Sequence, residues 1–430
     1  MKQSDIGKIP EDWGTISFVK AISNVVDNRG KTAPTSKSGI ALIATNCIKE
    51  NALYPVKEKI RYVSKETYEN WFRDHPKPDD IIIVNKGTPG LVCLVPNPVD
   101  FVIAQDMVAV RPDKSKIYGR FLFAFMRSKV FKHEVDSLNV GTTIPHLKKT
   151  YFPLLIVPLP SKYEQIVIGD FYYDLSKKIE LNLKMNETLE AIGQAVFKRW
   201  FVDFEFPNGE GKPYKSSGGK MVYNSALDKE IPEGWKVKPI DEIADFLNGL
   251  ALQKFPARDG EEYLPVIKIR ELRQGITESS DKANFDLPKE YIVKNGDVLF
   301  SWSGSLEVVI WGFGKGALNQ HLFKVTSSKY PKWFFYYWIL QFLPEYRQIA
   351  AGKATTMGHI QRHHLTASKV TIPNDKTIER MNIVLAPILE RIVHLKVETR
   401  TLVAIRDLLL PRLMSGKIRV TLPNEKQETN

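Results

Sequence analysis

Residues 158–204 read PLPSKYEQIVIGDFYYDLSKKIELNLKMNETLEAIGQAVFKRWFVDF. Inside this stretch a seam recurs at alternating spacings of three and four. It runs through Ile168, Tyr172, Leu175, Ile179, Asn182, Asn186, Leu189 and Val196, with Gly193 in the remaining slot. That spacing is the narrow stripe of a coiled-coil helix. A run of about 38 residues at 1.5 Å per residue predicts a rod of roughly 55–60 Å. The register returns at one constant offset as Met381, Leu385, Ile388, Ile392, Leu395, Thr399, Leu402 and Leu409, with Arg406 in the gap. Two long helices of equal register predict a pair packed on each other. Asn182, Asn186 and Thr399 are polar seam positions, of the kind that fix register and pairing.

Working outward, the rest of the chain is duplicated too. Ile9-Pro10-Glu11-Asp12-Trp13 returns as Ile231-Pro232-Glu233-Gly234-Trp235. Asp80-Ile81-Ile82 returns as Asp297-Val298-Leu299, and Thr142-Thr143-Ile144-Pro145-His146 as Thr355-Thr356-Met357-Gly358-His359. The offset between copies shrinks at each of these matches and then holds through the long helices. An offset that falls in steps fits two copies that differ in loop length. The period is too long for a solenoid. Each copy is a globular part followed by a long helix. In the globular parts, short apolar runs at 81–84, 101–110, 266–269, 298–302 and 322–325 predict strands. Residues 120–136 and 333–350 predict helices. The fold class is therefore α+β, with two pseudo-repeated globular domains and a pair of long antiparallel coiled-coil helices; the sheet order is left open. Residues 207–220 (PNGEGKPYKSSGGK) have the composition of a flexible linker, and 421–430 that of a frayed tail. Trp13 and Trp235 are expected in the domain cores. Trp200, Phe201 and Phe204 are expected in helix-end packing or a subunit interface.

Composition narrows the function. The chain has 430 residues, 43% hydrophobic and 26% charged, which excludes whole-chain disorder. Its 61 Lys+Arg exceed 49 Asp+Glu, for a net charge of +12. A basic excess favours a polyanionic partner. Cys47 and Cys93 are too few for a disulfide framework or a four-thiolate zinc site. The N-terminus MKQSDIGKIPEDW lacks an apolar signal region, and the run WFFYYWIL at 333–340 is too short to cross a bilayer, so a cytoplasmic location is expected.

Catalytic motifs are missing. There is no Gly-x-x-x-x-Gly-Lys-Ser/Thr, and Gly312, Gly314 and Gly316 precede a predicted strand where a nucleotide cradle would open a helix. Asn97-Pro98-Val99 does not supply the Asn/Asp-Pro-Pro-aromatic tetrapeptide of an amino-methyltransferase. His359, His363 and His364 have metal-like spacing but no glutamate base and no third ligand, so solvent or phosphate contact suits them better. The pattern is that of a binder rather than an enzyme.

Motifs at the helix ends carry a family resemblance. PLPSKYEQIVI at 158–168, QAVFKRWFVDF at 194–204 and LLLPRLMSGKI at 408–418 resemble the conserved regions of the specificity subunit of type I restriction–modification enzymes. Gly30-Lys31-Thr32-Ala33-Pro34 and Asn248-Gly249 fall where that family has a glycine-rich turn, and the two Ile-Pro-Glu-x-Trp sequences are similar to its domain opening. Glu379-Arg380 departs from the usual Glu-Gln. The resemblance implies target-recognition domains at 1–157 and 231–373, a central conserved helix at 158–206, a linker at 207–230, a C-terminal conserved helix at 374–420 and a tail at 421–430. It implies a non-catalytic subunit that reads a bipartite, asymmetric double-stranded DNA site. It further implies two methyltransferase subunits and motor-nuclease subunits as partners. S-adenosylmethionine, ATP and Mg would bind those partners, and none would bind this chain.

DNA contacts are expected on polar, basic, duplicated loops, because Arg, Lys, Asn and Gln read base edges while phosphate contacts position the protein. In the first domain these are Arg29, Lys31, Thr32, Lys37, Asn46, Asn85, Lys86, Thr88, Thr142, Thr143 and Lys148. In the second they are Gln253, Lys254, Arg258, Lys268, Arg270, Ser303, Ser305, Thr355, Thr356, His359 and Arg362. Two rivals remain at this level: a coiled-coil scaffold that never touches DNA, and a self-contained nuclease or methyltransferase with degenerate motifs.

Overall fold

The computed structural model describes residues 1–4, 7–28, 30–138, 144–258, 260–352 and 358–420. The chain divides into two units, residues 1–181 together with the stretch from 402, and residues 182–401.

In the first unit, a four-stranded antiparallel sheet runs in the order Ile22–Asp27, Met107–Pro112, Ile81–Val84, Val92–Leu94. A second sheet runs Arg61–Val63, Ile40–Ile43, Phe101–Ile103, its last pair parallel. Gly14–Ser17 pairs with Ile156–Leu159. Ile81–Val84 is apolar throughout and buried on both faces, which suits β-branched residues in a covered strand. The expected single strand at 101–110 is two strands. The chain leaves one sheet after Ile103 and joins the other at Met107, with the turn Ala104-Gln105-Asp106 between. The expected helix at 120–136 is also two, Gly119–Met126 and Lys129–Ser137. Ser128 restarts it as a cap, its Oγ accepting from the Phe131 N–H.

The second unit repeats this plan. Its four-stranded sheet runs Asp245–Asn248, Leu322–Thr326, Val298–Ser301, Val308–Ile310. Its mixed sheet runs Lys282–Asn284, Tyr263–Ile267, Gly316–Leu318, Ile292–Val293, with Val266 parallel to Ala317. Lys236–Pro239 pairs with Lys369–Ile372. The registers correspond: Ala109 faces Ile82 as Lys324 faces Leu299. The aromatic run lies in the helix Lys332–Ala351, and Trp333 to Ile339 are all buried.

The long helices are Lys162–Phe197 and Asp375–Met414. They run antiparallel, as each unit shows by itself. In the first unit Ile168 and Tyr172 share a core with Leu410, Leu413 and Met414; in the second Phe197 shares one with Met381 and Leu385. The seam positions Ile168, Ile179, Asn182, Met381, Leu385, Ile392 and Leu395 are buried as the heptad requires. Asn182 is buried and its Nδ2 donates to Glu398 Oε2 at 2.9 Å. Trp13 and Trp235 lie in the cores, 1% and 8% exposed.

Residues 207–220 depart from the flexible linker expected of their composition. Asn208 Oδ1 accepts from the Glu210 and Lys212 N–H groups, and the Tyr214 ring stacks on Phe206 with centroids 4.6 Å apart. Phe206 in turn stacks on Trp235 at 5.0 Å. One aromatic residue pins a segment that otherwise has a linker's content. Phe201 and Phe204 join the same buried cluster, while Trp200 is partly exposed against it. The equivalent corner of the first unit is polar. Arg419 donates to both Asp12 carboxylate oxygens, at 2.9 and 2.6 Å, and to Glu164 Oε1 at 3.1 Å; Trp13 Nε1 donates to Glu164 Oε2 at 3.2 Å.

Candidate nucleic-acid interface

In each unit three loop segments are laced together by the same backbone bonds. In the first, the Asn85 N–H donates to Asp106 O at 2.8 Å, Leu147 N–H to Asn85 O at 2.8 Å and Gly87 N–H to Pro145 O at 3.2 Å. In the second, Trp302 N–H donates to His321 O at 3.3 Å, Ile360 N–H to Trp302 O at 2.9 Å and Gly304 N–H to Gly358 O at 2.8 Å. Lys86 bridges His146 as Ser303 bridges His359. Polar backbone that would otherwise need water is thereby satisfied, and the described loop segments are held together as one patch.

Several expected residues gather there. Lys86, Thr88 and Lys148 are exposed on the first patch, and Thr32 is joined to it by Gln105, whose Nε2 donates to Thr32 Oγ1 at 3.2 Å. Lys31 lies beside Thr32, exposed. Asn85 is only 6% exposed, so its contribution is to the lacing. On the second patch Ser305 is exposed and His359 partly so, while Ser303 is buried and bonded to His321 Nδ1 at 3.0 Å. Gly249 lies against this patch: a Cβ there would stand 2.2 Å from Asn319 O, so only glycine permits the approach.

Others sit apart or are engaged in the fold. Asn46 Nδ2 donates to Glu58 O at 2.7 Å, and Lys37 is exposed beside the bridge of Ser36 to Tyr62. Gln253 and Lys254 are exposed in the short turn Leu252–Lys254, and Arg258 pairs with Glu261 at 3.6 Å. Lys268 pairs with Asp281 and holds that carboxyl below its ordinary pKa. Arg270 donates twice to Glu271 Oε1, at 3.0 and 2.8 Å. Arg362 Nη2 donates to Phe246 O at 3.1 Å, and its guanidinium stands 5.7 Å from the Phe323 ring centroid. Arg29, Thr142, Thr143, Thr355 and Thr356 lie outside the described residues.

The structure adds residues to which the sequence alone does not point. Gln105 and Gln320 occupy the sheet-switching turn of the two units, with Asp106 and His321 following them. Their flanks, AQDM and NQHL, share only the glutamine itself, so the pairing registers alone align them. Arg273 and Arg347 converge on Glu307, with Nη2 to carboxylate distances of 2.5 and 3.3 Å, beside Gly304, Ser305 and Gly358. Two guanidinium groups on one carboxylate leave a net positive charge at that cleft. Among the described residues no group of three or more His, Cys, Asp or Glu is placed to hold a metal ion. Among the described residues no helix is long and apolar enough to cross a membrane.

Known proteins share this duplicated architecture. The family described as "Type I restriction modification DNA specificity domain" matches residues 10–191 and again 232–400, once per copy. The type I restriction enzyme MjaIX specificity subunit of Methanocaldococcus jannaschii is 28% identical, over 97% of this chain and 96% of its own length. The HindI specificity subunit of Haemophilus influenzae is 24% identical, over 76% of this chain and 84% of that protein. The crystal structure of a type I restriction–modification S subunit from M. genitalium has the same fold, with a TM-score of 0.51, 14% identity and coverage of 96% of this chain and 98% of that one. Specificity subunits are the non-catalytic members of such systems. With both copies matched across most of their length, this chain belongs to the type I restriction–modification DNA specificity family.

Proposed function

We propose that the chain reads a bipartite, asymmetric double-stranded DNA site, one half per unit, and brings partner methyltransferase and restriction subunits to it. The observation that carries this reading is the pair of identically laced patches bearing different side chains. Lys86 and Asp106 stand where Ser303 and His321 stand in the other unit. A shared scaffold with different tips suits two half-sites of different sequence, since base edges are read by side chains and not by backbone lacing. The basic excess supplies the sequence-independent attraction to phosphate.

Docking of two methyltransferase subunits has support in the long helices. In the first unit Ile166, Leu181, Ile405 and Leu408 are exposed; in the second Leu183, Met185, Ile192, Ile383 and Val384 are. These side chains lie on both long helices, each unit carries its own set, and in this reading they are where the partner subunits cover apolar surface. S-adenosylmethionine, ATP and Mg belong to the partners in this reading.

Replacing the globular part of the second unit, about 233–371, with that of a relative tests the assignment. Methylated sites are then mapped in cells supplying the partner subunits. One half of the methylated sequence should change and the other stay. A change in both halves or in neither defeats the modular reading. Duplex binding by the assembled complex should also fall steeply with salt. A complex that shows no affinity for DNA at low salt would leave a scaffold in its place.

A further inference from the structure

Two positions that correspond between the units bear the same side chain at the heart of both laced patches. Gln105 lies between Phe101–Ile103 and Met107–Pro112, where the chain switches sheets. Gln320 lies between Gly316–Leu318 and Leu322–Thr326, at the same switch. The flanking registers fix the correspondence. Val102 and Ala317 are the parallel partners of the mixed sheets, and Ala109 and Lys324 face Ile82 and Leu299. Both pairs share a single sequence offset, and Gln105 and Gln320 have that same offset. Around them the patches differ: Asn85 corresponds to Trp302, Lys86 to Ser303 and Asp106 to His321.

We propose that Gln105 and Gln320 are corresponding base-reading residues, and that each takes the major-groove edge of an adenine present in both half-sites. This rests on the DNA-reading function proposed above and names residues and a base for it. Side chains that differ between the patches serve what differs between the half-sites; a retained amide serves what they share. The Gln amide offers an acceptor and a donor side by side. That pattern complements adenine, whose N6–H donates and whose N7 accepts. Oε1 would accept from N6–H and Nε2 would donate to N7.

Both glutamines are steadied without being consumed. Gln105 gives one N–H to Thr32 Oγ1 at 3.2 Å and is partly exposed. Gln320 Nε2 lies 3.4 Å from His321 Nε2, and its backbone carbonyl accepts from the Trp302 indole N–H at 3.2 Å. The backbone carbonyl of the next residue, Asp106 or His321, is taken by the neighbouring loop in each unit. The turn is thus anchored through its backbone, which leaves the amide at its tip for a ligand.

The competing account is that each amide only buttresses its turn. Gln105→Glu and Gln320→Glu separate the two. A glutamate keeps the size and can accept from the Thr32 hydroxyl where the glutamine donates to it, but it has no N–H for adenine N7. Its acceptor-only edge suits cytosine N4. The recognised sequence is first obtained by methylation mapping with the unaltered protein. The complex assembled with its methyltransferase subunits is then competed against duplexes in which each base pair of both half-sites is changed singly. Q105E should bind the natural site roughly ten- to hundred-fold more weakly and lose its discrimination at one A·T pair of one half-site. Q320E should do the same in the other half-site. If either fails to assemble, Gln→Met, of similar length and without either polar group, is read in the same way. Uniform weakening over all duplexes would mean a backbone contact, and an unchanged profile would mean a buttress; each overturns the proposal, as does loss at a G·C pair. If mapping with the unaltered protein yields no two-part site, the proposed function itself fails and this inference with it, a result that shows before any variant is made.

Discussion

Two helix glycines show how single residues set the packing. Gly169 lies in the first long helix, and a Cβ there would stand 2.6 Å from the Phe121 backbone N. Gly193 fills the gap in the heptad, and a Cβ there would stand 1.8 Å from the Tyr337 hydroxyl. Tyr337 is 1% exposed, so its ring has no room to withdraw. In an exposed helix, Gly→Ala stabilises by about 1 kcal/mol. Here overpacking of about 1–3 kcal/mol opposes it and wins. Gly169→Ala should therefore lower the stability of the first unit and Gly193→Ala that of the second. Hydrogen exchange resolved by segment checks this: faster exchange in Met107–Pro112 for the first variant and in Leu322–Thr326 for the second. At this scale the sequence is a partial guide. Gly193 is visible as a seam gap, whereas the need for glycine at Gly169 arises from a helix that is distant in the chain and leaves no local trace. Gln105 and Gln320 escape a sequence reading for a similar reason, since strand pairing aligns them and their flanks do not. The basic residues Lys268 and Arg270 look exposed and available in the sequence, yet Asp281 engages the first and the adjacent Glu271 the second.

The long helices are the most readable elements, because a heptad needs no knowledge of the partner to be seen. The strands are readable where they are fully buried, as at Ile81–Val84 and Val298–Ser301. The sheet switch at Gln105 is not, since the two polar residues Gln105 and Asp106 in an otherwise apolar run look the same whether the run serves one sheet or two. Each long helix contributes residues to both units, and we propose that, under the function above, the pair is a ruler for the spacer between half-sites. Seven residues copied from 175–181 can be inserted after Leu181, with seven copied from 395–401 after Thr401. A whole heptad keeps each seam facing its partner. It adds roughly 10 Å of helix at 1.5 Å per residue. At about 3.4 Å per base pair that is up to about three pairs of extra spacer. Three pairs also turn the duplex by roughly 100°, so helix twist limits the realised gain to one or two. Methylation mapping in cells carrying both inserts should show the longer spacer. Inserts of five residues would rotate the seams away from each other and should abolish methylation. An active seven-residue variant with the original spacer would reduce the helices to a docking surface.

At the scale of the whole chain, its last segment completes its first unit. Leu410, Leu413 and Met414 are 6%, 7% and 3% exposed within the core that also holds Trp13 and Ile81. Gly416 packs on Pro10 so closely that a Cβ would stand 2.1 Å from the proline Cγ. Arg419 reaches Asp12 and the buried Glu164. The second unit, by contrast, draws every part from residues 182–401. Ending the chain after Thr401 therefore removes structure from the unit farther away in sequence. Burial of each large apolar side chain stabilises by about 1.5–3 kcal/mol, so three of them contribute roughly 5–9 kcal/mol. That is comparable with the entire stability of an ordinary domain, about 5–15 kcal/mol. Glu164, with its side chain only 4% exposed, also loses a cationic partner, which adds to the cost. In the truncated chain, amides of Ile81–Val84 should exchange as if unfolded while those of Val298–Ser301 stay protected. Arg419→Ala keeps the apolar contacts and should weaken the first unit only in part. Acidification should act in the same direction as that variant. Arg419 holds the Asp12 carboxyl below its ordinary pKa, so this bond contributes above that value and is lost as pH falls through the depressed one. If Ile81–Val84 remained protected after truncation, the C-terminal helix would be an ornament on a self-sufficient first unit. Protection restored by adding a peptide of residues 402–420 would instead show that the segment completes the unit by packing alone, with no need of chain continuity.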